Sequence, residues 1–369
     1  MPNKQKIAIF TTPQGHASIA DAIQQKIERL AGSDYEVVQY FSDAMLMKEY
    51  AMVYKFAPYI FSIPYNFTKI NQAATVSKKI FRHKFVEPLT EFIEKEKPDL
   101  CINTNFIYNS SLEKICSEKN IPFINVLANP GNVHPLEVST VANYNLTFDT
   151  DTQFSLEDMY PDCTFYTTGW FVQDIFESEY SATAIRKQYA IAPDTFHMLI
   201  ASGSEGTNAI LKILPSLLIV SEPMVITVAC GKSKLLTDQV SITAKFVSTI
   251  SPNVEIRVLP FTKKMYEYMQ ASDLVVGKAG PNTLFETVAT LTPFFAITHV
   301  TGQEDVNLEI ITNEKLGFVE ESIMGASKLL ASIISDTTLL NPFSKSVEAM
   351  AEHNKESGKL LIKVIRKLI

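Results

Sequence analysis

The sequence predicts an α/β chain of two Rossmann-like domains facing a central cleft. Three observations carry this. Short apolar runs alternate with stretches of helical periodicity in two separate series. Small-residue turns follow the runs where strand passes into helix. Between the series, from Gly169 to Pro193, the alternation stops. The chain has 369 residues, about two domains at the usual ~150 residues each.

The first series opens with the apolar run from Lys6 to Thr11, which reads as a buried parallel strand. Pro13 to His16 form the turn, and Ala17 to Leu30 carry helical periodicity closed by Gly32. Further strands follow at Glu36 to Tyr40, Leu100 to Asn103 and Ile121 to Val126, with a helix around Ser110 to Lys119. Pro122 suits a strand start, since proline has no N–H for a ladder. The strand–helix–strand rhythm means a parallel sheet with helices on both faces.

The second series begins at the strand Phe196 to Ile200, followed by the turn Ser202 to Gly206 and a helix from Thr207 to Leu217. Strands at Val225 to Val228, Val254 to Val258, Leu274 to Val276 and Phe294 to Ile297 come next, separated by helical patterns. The expected division is an N-terminal domain over 1–170, a C-terminal domain over 171–350, and a final helix over 351–369 that braces the first domain. Sheets of this kind bind ligands at the carboxyl ends of their strands.

Composition narrows the function classes. A net charge of -7 gives no global attraction for nucleic acid. The four cysteines, Cys101, Cys116, Cys163 and Cys230, form neither a metal spacing nor a disulfide scaffold. Reduced, mostly buried thiols in a cytoplasmic protein are expected. The polar N-terminus leads straight into a strand, unlike a signal peptide. No apolar run reaches the ~20 residues needed to span a bilayer.

The stretch from Val276 to Val288 carries the most chemistry. A strand ends at Gly277-Lys278, a turn of small residues follows, and a helix starts near Pro281. Proline suits the first helical position, and Thr283 is expected to satisfy an orphan amide. A helix N-terminus with free amides binds a diphosphate without needing a metal. Asn282, Thr283 and Glu286 share one face, and the Glu286 carboxylate suits two vicinal hydroxyls such as those of a ribose. An ordinary strand–turn–helix with a surface glutamate fits the pattern equally. Downstream, Gln303, Glu304 and Asn307 cluster at the next strand–helix turn, suited to reading sugar hydroxyls. A helix start with acidic first-turn residues is the simpler alternative.

These motifs resemble a known family. Lys278-Ala-Gly-Pro-Asn-Thr-Leu-Phe-Glu286, Thr292-Pro293 and Gly302-Gln-Glu-Asp-Val-Asn307 resemble the donor-site signature of family 28 glycosyltransferases. The nearest likeness is to monogalactosyldiacylglycerol synthases and processive diacylglycerol glucosyltransferases. The run Leu259 to Asp273, Gly203 to Gly206, Cys230-Gly-Lys232 and the turn Gly15-His16 with Ala20 and Ile23 extend the resemblance over most of the chain. It implies a GT-B fold, a UDP-sugar donor, an inverting mechanism and a lipid or lipid-linked acceptor. Since a helix N-terminus holds a diphosphate by itself, no metal is expected, and no cofactor. By matching position, Glu286 would hold the ribose and Gln303 with Glu304 the sugar hydroxyls. Phe261 would lie beside the uracil. Gly280, Pro281, Asn282 and Thr283 would face the diphosphate, with Lys278, Gly203, Ser204 and Glu205 also on the donor side. Gly15 and His134 would stand on the acceptor side. His16 would be the base, a role that imidazole suits near neutral pH; a helix-start histidine bonded only to backbone is the alternative.

The chain departs from the family pattern at several points. Phe171 and neutral Gln173 replace a proline and a phosphate-binding base in Gly169 to Gln173, and Glu137 stands where a tryptophan is usual. A UDP-sugar epimerase and a non-catalytic nucleotide-sugar-binding protein therefore stay open beside the transferase. Epimerases of this architecture usually pair two glutamates at the donor helix, whereas Thr287 follows Glu286 here. The segment Ala44 to Lys84 concentrates aromatics and bases against the single acid Glu49. It reads as a peripheral element on an anionic membrane surface or as helices packing their aromatics into the first domain.

Overall fold

A computed structural model describes residues 4–13, 15–41, 71–131, 133–201 and 222–369. The expected turn Ser202 to Gly206, the helix Thr207 to Leu217 and most of the basic aromatic segment lie outside the described residues.

The chain divides into two units. The first takes in Met1–Asp174, Thr301–Val306 and His353–Ile369; the second takes in Ile175–Val300 and Asn307–Glu352. Each is built on a six-stranded sheet, and every described strand pairing is parallel. The architecture is GT-B, two Rossmann-like domains.

In the first unit the elements are β1 (Gln5–Thr11), α1 (Gly15–Ala31), β2 (Tyr35–Phe41), α2 (Asn71–Glu96), β3 (Leu100–Asn103) and α3 (Asn109–Lys119). Then come β4 (Phe123–Val126), β5 (Tyr144–Thr147), α4 (Thr150–Met159) and β6 (Phe165–Thr167). The sheet order is β2-β1-β3-β4-β5-β6. Strand β1 is buried from Ile7 onward, as a continuous apolar run in a doubly covered parallel sheet must be. Phe10, Phe85, Leu89, Tyr108 and Phe123 form its core with α2 and α3.

The second unit begins with α5 (Asp174–Glu177, its first residue still in the first unit) and α6 (Ala182–Gln188). It continues with β7 (Phe196–Ala201), β8 (Met224–Gly231), α7 (Lys234–Ile250), β9 (Val254–Pro260), α8 (Met265–Gln270) and β10 (Leu274–Lys278). It ends with α9 (Pro281–Ala289), β11 (Phe294–Thr298), α10 (Asp305–Asn313, its first two residues in the first unit), β12 (Gly317–Val319), α11 (Ile323–Ser335) and α12 (Ser344–Lys355, its last three residues in the first unit). The order β12-β11-β10-β7-β8-β9 puts the reversal of winding between β7 and β10. There Gly277 is obligatory, because a Cβ on it would meet the carbonyl oxygen of Ala201 at 2.4 Å.

The last helix, α13 (Ser357–Leu368), belongs to the first unit and packs on α1. Leu361, Ile362, Val364 and Ile365 are buried, and Gly358 lies against the stem of Lys26. The connector leaving the first sheet is fastened to this unit too. Trp170 N–H donates to Asn354 Oδ1 at 2.8 Å, and Asp174 forms ion pairs with Lys26 and Arg29.

Candidate active site

Each sheet brings candidate residues to its own switch point, the position where open α/β sheets bind ligands. In the second sheet β10 ends at Gly277-Lys278 and turns into α9. Gly280 is the N-cap, with Pro281 at the start of the helix and no side-chain cap hydrogen bond. The expectation that Thr283 caps the helix is therefore corrected. Thr283 lies inside the first turn, and its carbonyl accepts from Thr287 Oγ1 at 2.7 Å. Leu284, Phe285, Thr287 and Val288 are buried, while Asn282, Thr283 and Glu286 are half-buried on the opposite side. Helical spacing produces this division, with the apolar stripe on the sheet and the polar residues one turn apart outside.

The turn itself is held from two sides. Ala279 N–H donates to Thr298 O at 2.8 Å, and Asn307 Nδ2 donates to Ala279 O at 2.7 Å. Asn307 is 2% exposed. Its amide group thus fixes the β10–α9 turn with one of its two N–H groups. Gln303 is half-buried and Glu304 buried in the loop after β11, which Gly302 N–H closes on Asp305 Oδ1 at 2.7 Å.

Phe261 follows β9 and is 51% exposed. Lys232, just past β8, places its Nζ 4.8 Å from the ring centroid, a cation–π contact. Sequence reasoning noted Lys232 only as part of a motif and missed this pairing. Helix α8, next in the chain, is anchored by buried Glu267, which accepts from Tyr189, from Tyr266 at 3.0 Å and from Lys264 at 3.2 Å. A His299–Glu321 pair at 2.7 Å beyond β11 was also missed. Gly203, Ser204 and Glu205 lie outside the described residues.

In the first sheet the switch point lies between β1 and β3. Thr104 joins the two strand ends, donating from its N–H to Phe10 O at 3.0 Å and from its hydroxyl to Thr11 Oγ1 at 2.9 Å. Gly15 and His16 begin α1 directly beside it. His16 is half-buried, and its Nδ1 lies 2.7 Å from the Thr104 carbonyl. A carbonyl only accepts, so Nδ1 carries the proton and the lone pair of the neutral ring is on Nε2. Burial lowers the pKa of His16 from its ordinary value, the Thr104 bond opposing it. The ring is therefore neutral at physiological pH and able to take a proton at Nε2.

His134 is a poorer candidate than its sequence position implies. It is 3% exposed, and its Nδ1 accepts from Leu136 N–H at 3.1 Å, so that lone pair is engaged. Gln173, where a phosphate-binding base was expected, donates to Ser18 Oγ at 3.3 Å. The chain's Asp-x-Asp spacing, Asp149 and Asp151, starts α4, where Asp149 Oδ1 caps the helix by accepting from Thr152 N–H at 2.6 Å. On α2, the described end of the basic aromatic segment divides by face. Phe81 and Phe85 pack against Phe106 and Tyr108, while Val76, Ile80, Lys79, His83 and Lys84 are exposed. No described helix is long and apolar enough to cross a membrane.

Comparison with known proteins bears on the family and the fold. Residues 197–364 match the glycosyltransferase family 28 C-terminal domain. A processive diacylglycerol beta-glucosyltransferase of Staphylococcus aureus (strain MRSA252) is 24% identical over 281 residues, covering 74% of this chain and 68% of that protein. Among solved structures, Acinetobacter baumannii MurG aligns over 98% of this chain and 99% of its own, with a TM-score of 0.64 and 16% identity. The UDP-GlcNAc 2-epimerase of Neisseria meningitidis, solved with UDP-GlcNAc, aligns over 98% and 100% with a TM-score of 0.63 and 12% identity. At these identities the solved structures speak to the fold. The chain is thus a glycosyltransferase of GT-B fold whose residues 197–364 match the family 28 C-terminal domain.

Proposed function

We propose that this glycosyltransferase moves a hexose from a UDP-sugar to a hydroxyl of a lipid acceptor such as diacylglycerol, with inversion and without a metal. The observation that carries the reading is the fixed tautomer of His16 at the first switch point. The acceptor oxygen attacks the anomeric carbon and its proton passes to His16 Nε2. The bond from that carbon to the diphosphate oxygen breaks, and UDP leaves. In the second unit, Glu286 holds the ribose, Phe261 lies against the uracil, and the start of α9 with Lys278 meets the diphosphate. The positive end of the α9 dipole there stabilises the negative charge that grows on the leaving group. Gln303 and Glu304 read the hexose.

The similarity to a diacylglycerol glucosyltransferase supports a lipid acceptor. The exposed bases of α2 beside Val76 and Ile80 support contact with an anionic membrane surface. Purified protein given UDP-glucose or UDP-galactose, with and without diacylglycerol vesicles and with and without chelator, tests the reading. Chelator-resistant UDP release that requires the lipid is expected. An altered sugar without any acceptor would instead make the protein an epimerase.

A further inference from the structure

The carboxyl ends of β8 and β9 bring two side chains together. In the parallel pairing Ala229 faces Leu259 and Gly231 faces Pro260, so Cys230 stands opposite no residue of β9. An extra residue of this kind bends its strand and re-aims the side chains beside it. Cys230 itself is fully buried, its Sγ 3.6 Å from Val228 O. Gly231 follows at φ +58°, a left-handed backbone that glycine adopts freely. Ser233 N–H donates back to Cys230 O at 3.3 Å, and Ser233 Oγ accepts from Leu236 N–H at 3.3 Å to cap α7. The backbone of Lys232 is therefore fixed by a tight turn before it and a helix cap after it. On the neighbouring strand, Pro260 locks its own φ just before Phe261.

Lys232 is exposed, and its Nζ stands 4.8 Å from the centroid of the Phe261 ring, which is itself 51% exposed. A ring so open to water gains little from packing, but it offers a π-face on which a base can stack. Its place along the sheet edge suits that use. Strands β8 and β9 stand two and three places from β10 in the sheet order. At the usual spacing between strands, the pair lies roughly 10–14 Å along the edge from the start of α9. A nucleoside diphosphate reaches about that far from base to phosphates. The ammonium covers one face of the ring and leaves the opposite face to the base.

We propose that Lys232 is a positioning residue for the donor's uracil: its ammonium holds one face of the Phe261 ring, and the base stacks on the other. This rests on the reading that the second unit binds a UDP-sugar with Phe261 beside its uracil. Without the cation the ring turns among its rotamers, and only a fraction of the molecules present the platform. A site competent for a fraction of the time binds proportionally more weakly. An exposed cation–π contact corresponds to a population difference of roughly two- to fivefold. Because Lys232 acts through the ring, its effect is the same for every ligand that carries the base. Arginine keeps a cation over the ring. Methionine keeps an apolar stem and removes the charge.

The test is titration calorimetry with UDP, and with UMP and uridine displacing it. Wild type is compared with Lys232→Met, Lys232→Arg, Phe261→Leu and the double variant of Lys232→Met with Phe261→Leu. Lys232→Met should weaken all three ligands by the same factor, roughly two- to fivefold, while Lys232→Arg binds like wild type. Once Phe261 is leucine, Lys232→Met should have no further effect, because the two side chains act as one unit. A loss that grows from uridine through UMP to UDP would make Lys232 a phosphate ligand and overturn the proposal. Independent effects in the double variant, or arginine no better than methionine, overturn it as well. If wild type binds UDP and Lys232→Met binds it equally, the proposal alone fails. If wild type binds none of the three ligands, the UDP-sugar reading fails and the proposal falls with it.

Discussion

Asn307 is the residue whose replacement separates holding the donor turn from reading the sugar. Its Nδ2 lies 2.7 Å from Ala279 O, and both residues are buried. In Asn307→Ala the carbonyl loses this donor in a place water does not reach. Leaving a buried acceptor unsatisfied costs about 1–3 kcal/mol. For a domain of this size that lowers Tm by about 2–12 °C. The Ala279–Gly280 peptide also leads into the first turn of α9, so release of the turn misdirects the helix start where the proposed diphosphate site lies. A misplacement of about 1.4 kcal/mol weakens UDP roughly tenfold. Uridine, which on the proposed reading rests on Phe261 and Glu286, should bind as before. Asn307→Asp should be worse than alanine, because a carboxylate would then face a carbonyl. Differential scanning calorimetry and titration calorimetry with UDP and uridine read all of this. Unchanged Tm and UDP affinity, together with altered preference between UDP-glucose and UDP-galactose, would refute the reasoning and return Asn307 to sugar recognition.

Three further outcomes follow from the same geometry. Glu286→Ala should weaken UDP by about 1.5–3 kcal/mol, the range for a hydrogen bond to a charged group, and unchanged affinity in a folded variant would remove Glu286 from the ribose site. His16→Ala should lower kcat by ~10²–10⁴-fold with UDP affinity nearly intact. Since burial lowers the His16 pKa, wild-type kcat/KM should fall with decreasing pH only below the ordinary imidazole range, as Nε2 gains a proton; an acid limb above that range would contradict the neutral-base role. Replacing Lys79 and Lys84 by serine should reduce flotation with anionic vesicles at low salt, and equal partition of variant and wild type would leave α2 a packing helix alone.

Much of the fold was legible because a doubly covered parallel strand must be apolar along its whole length. The runs at Ile7, Val225 and Phe294 announce themselves in this way. The strands β5, β6 and β12 were not legible. They are three or four residues long, β5 contains Asn145, and β12 begins with Gly317. Their pairing comes from neighbouring strands rather than from their own pattern. The β10–α9 turn could be read because Pro281 and the glycines obey local rules. The function of Asn307 could not, since Ala279 lies 28 residues away in the chain. Nor could the row formed across β3, β4 and β5 by Asn103, Asn125 and Asn145, because lateral register between strands leaves no periodic mark in the sequence. Lys232 and Phe261 meet only because β8 and β9 are neighbours in the sheet.

The central claim is transfer of a hexose from a UDP-sugar to a lipid hydroxyl, and the direct measurement is product analysis. Protein is incubated with UDP-glucose or UDP-galactose and dioctanoylglycerol in the presence of chelator, and the lipid fraction is examined by mass spectrometry and by NMR at the anomeric carbon. The account predicts a hexosyl diacylglycerol of inverted anomeric configuration, formed in step with UDP and reduced ~10²–10⁴-fold in His16→Ala. A product that retains the donor's configuration, or UDP-sugar altered while the lipid stays unmodified, would contradict it.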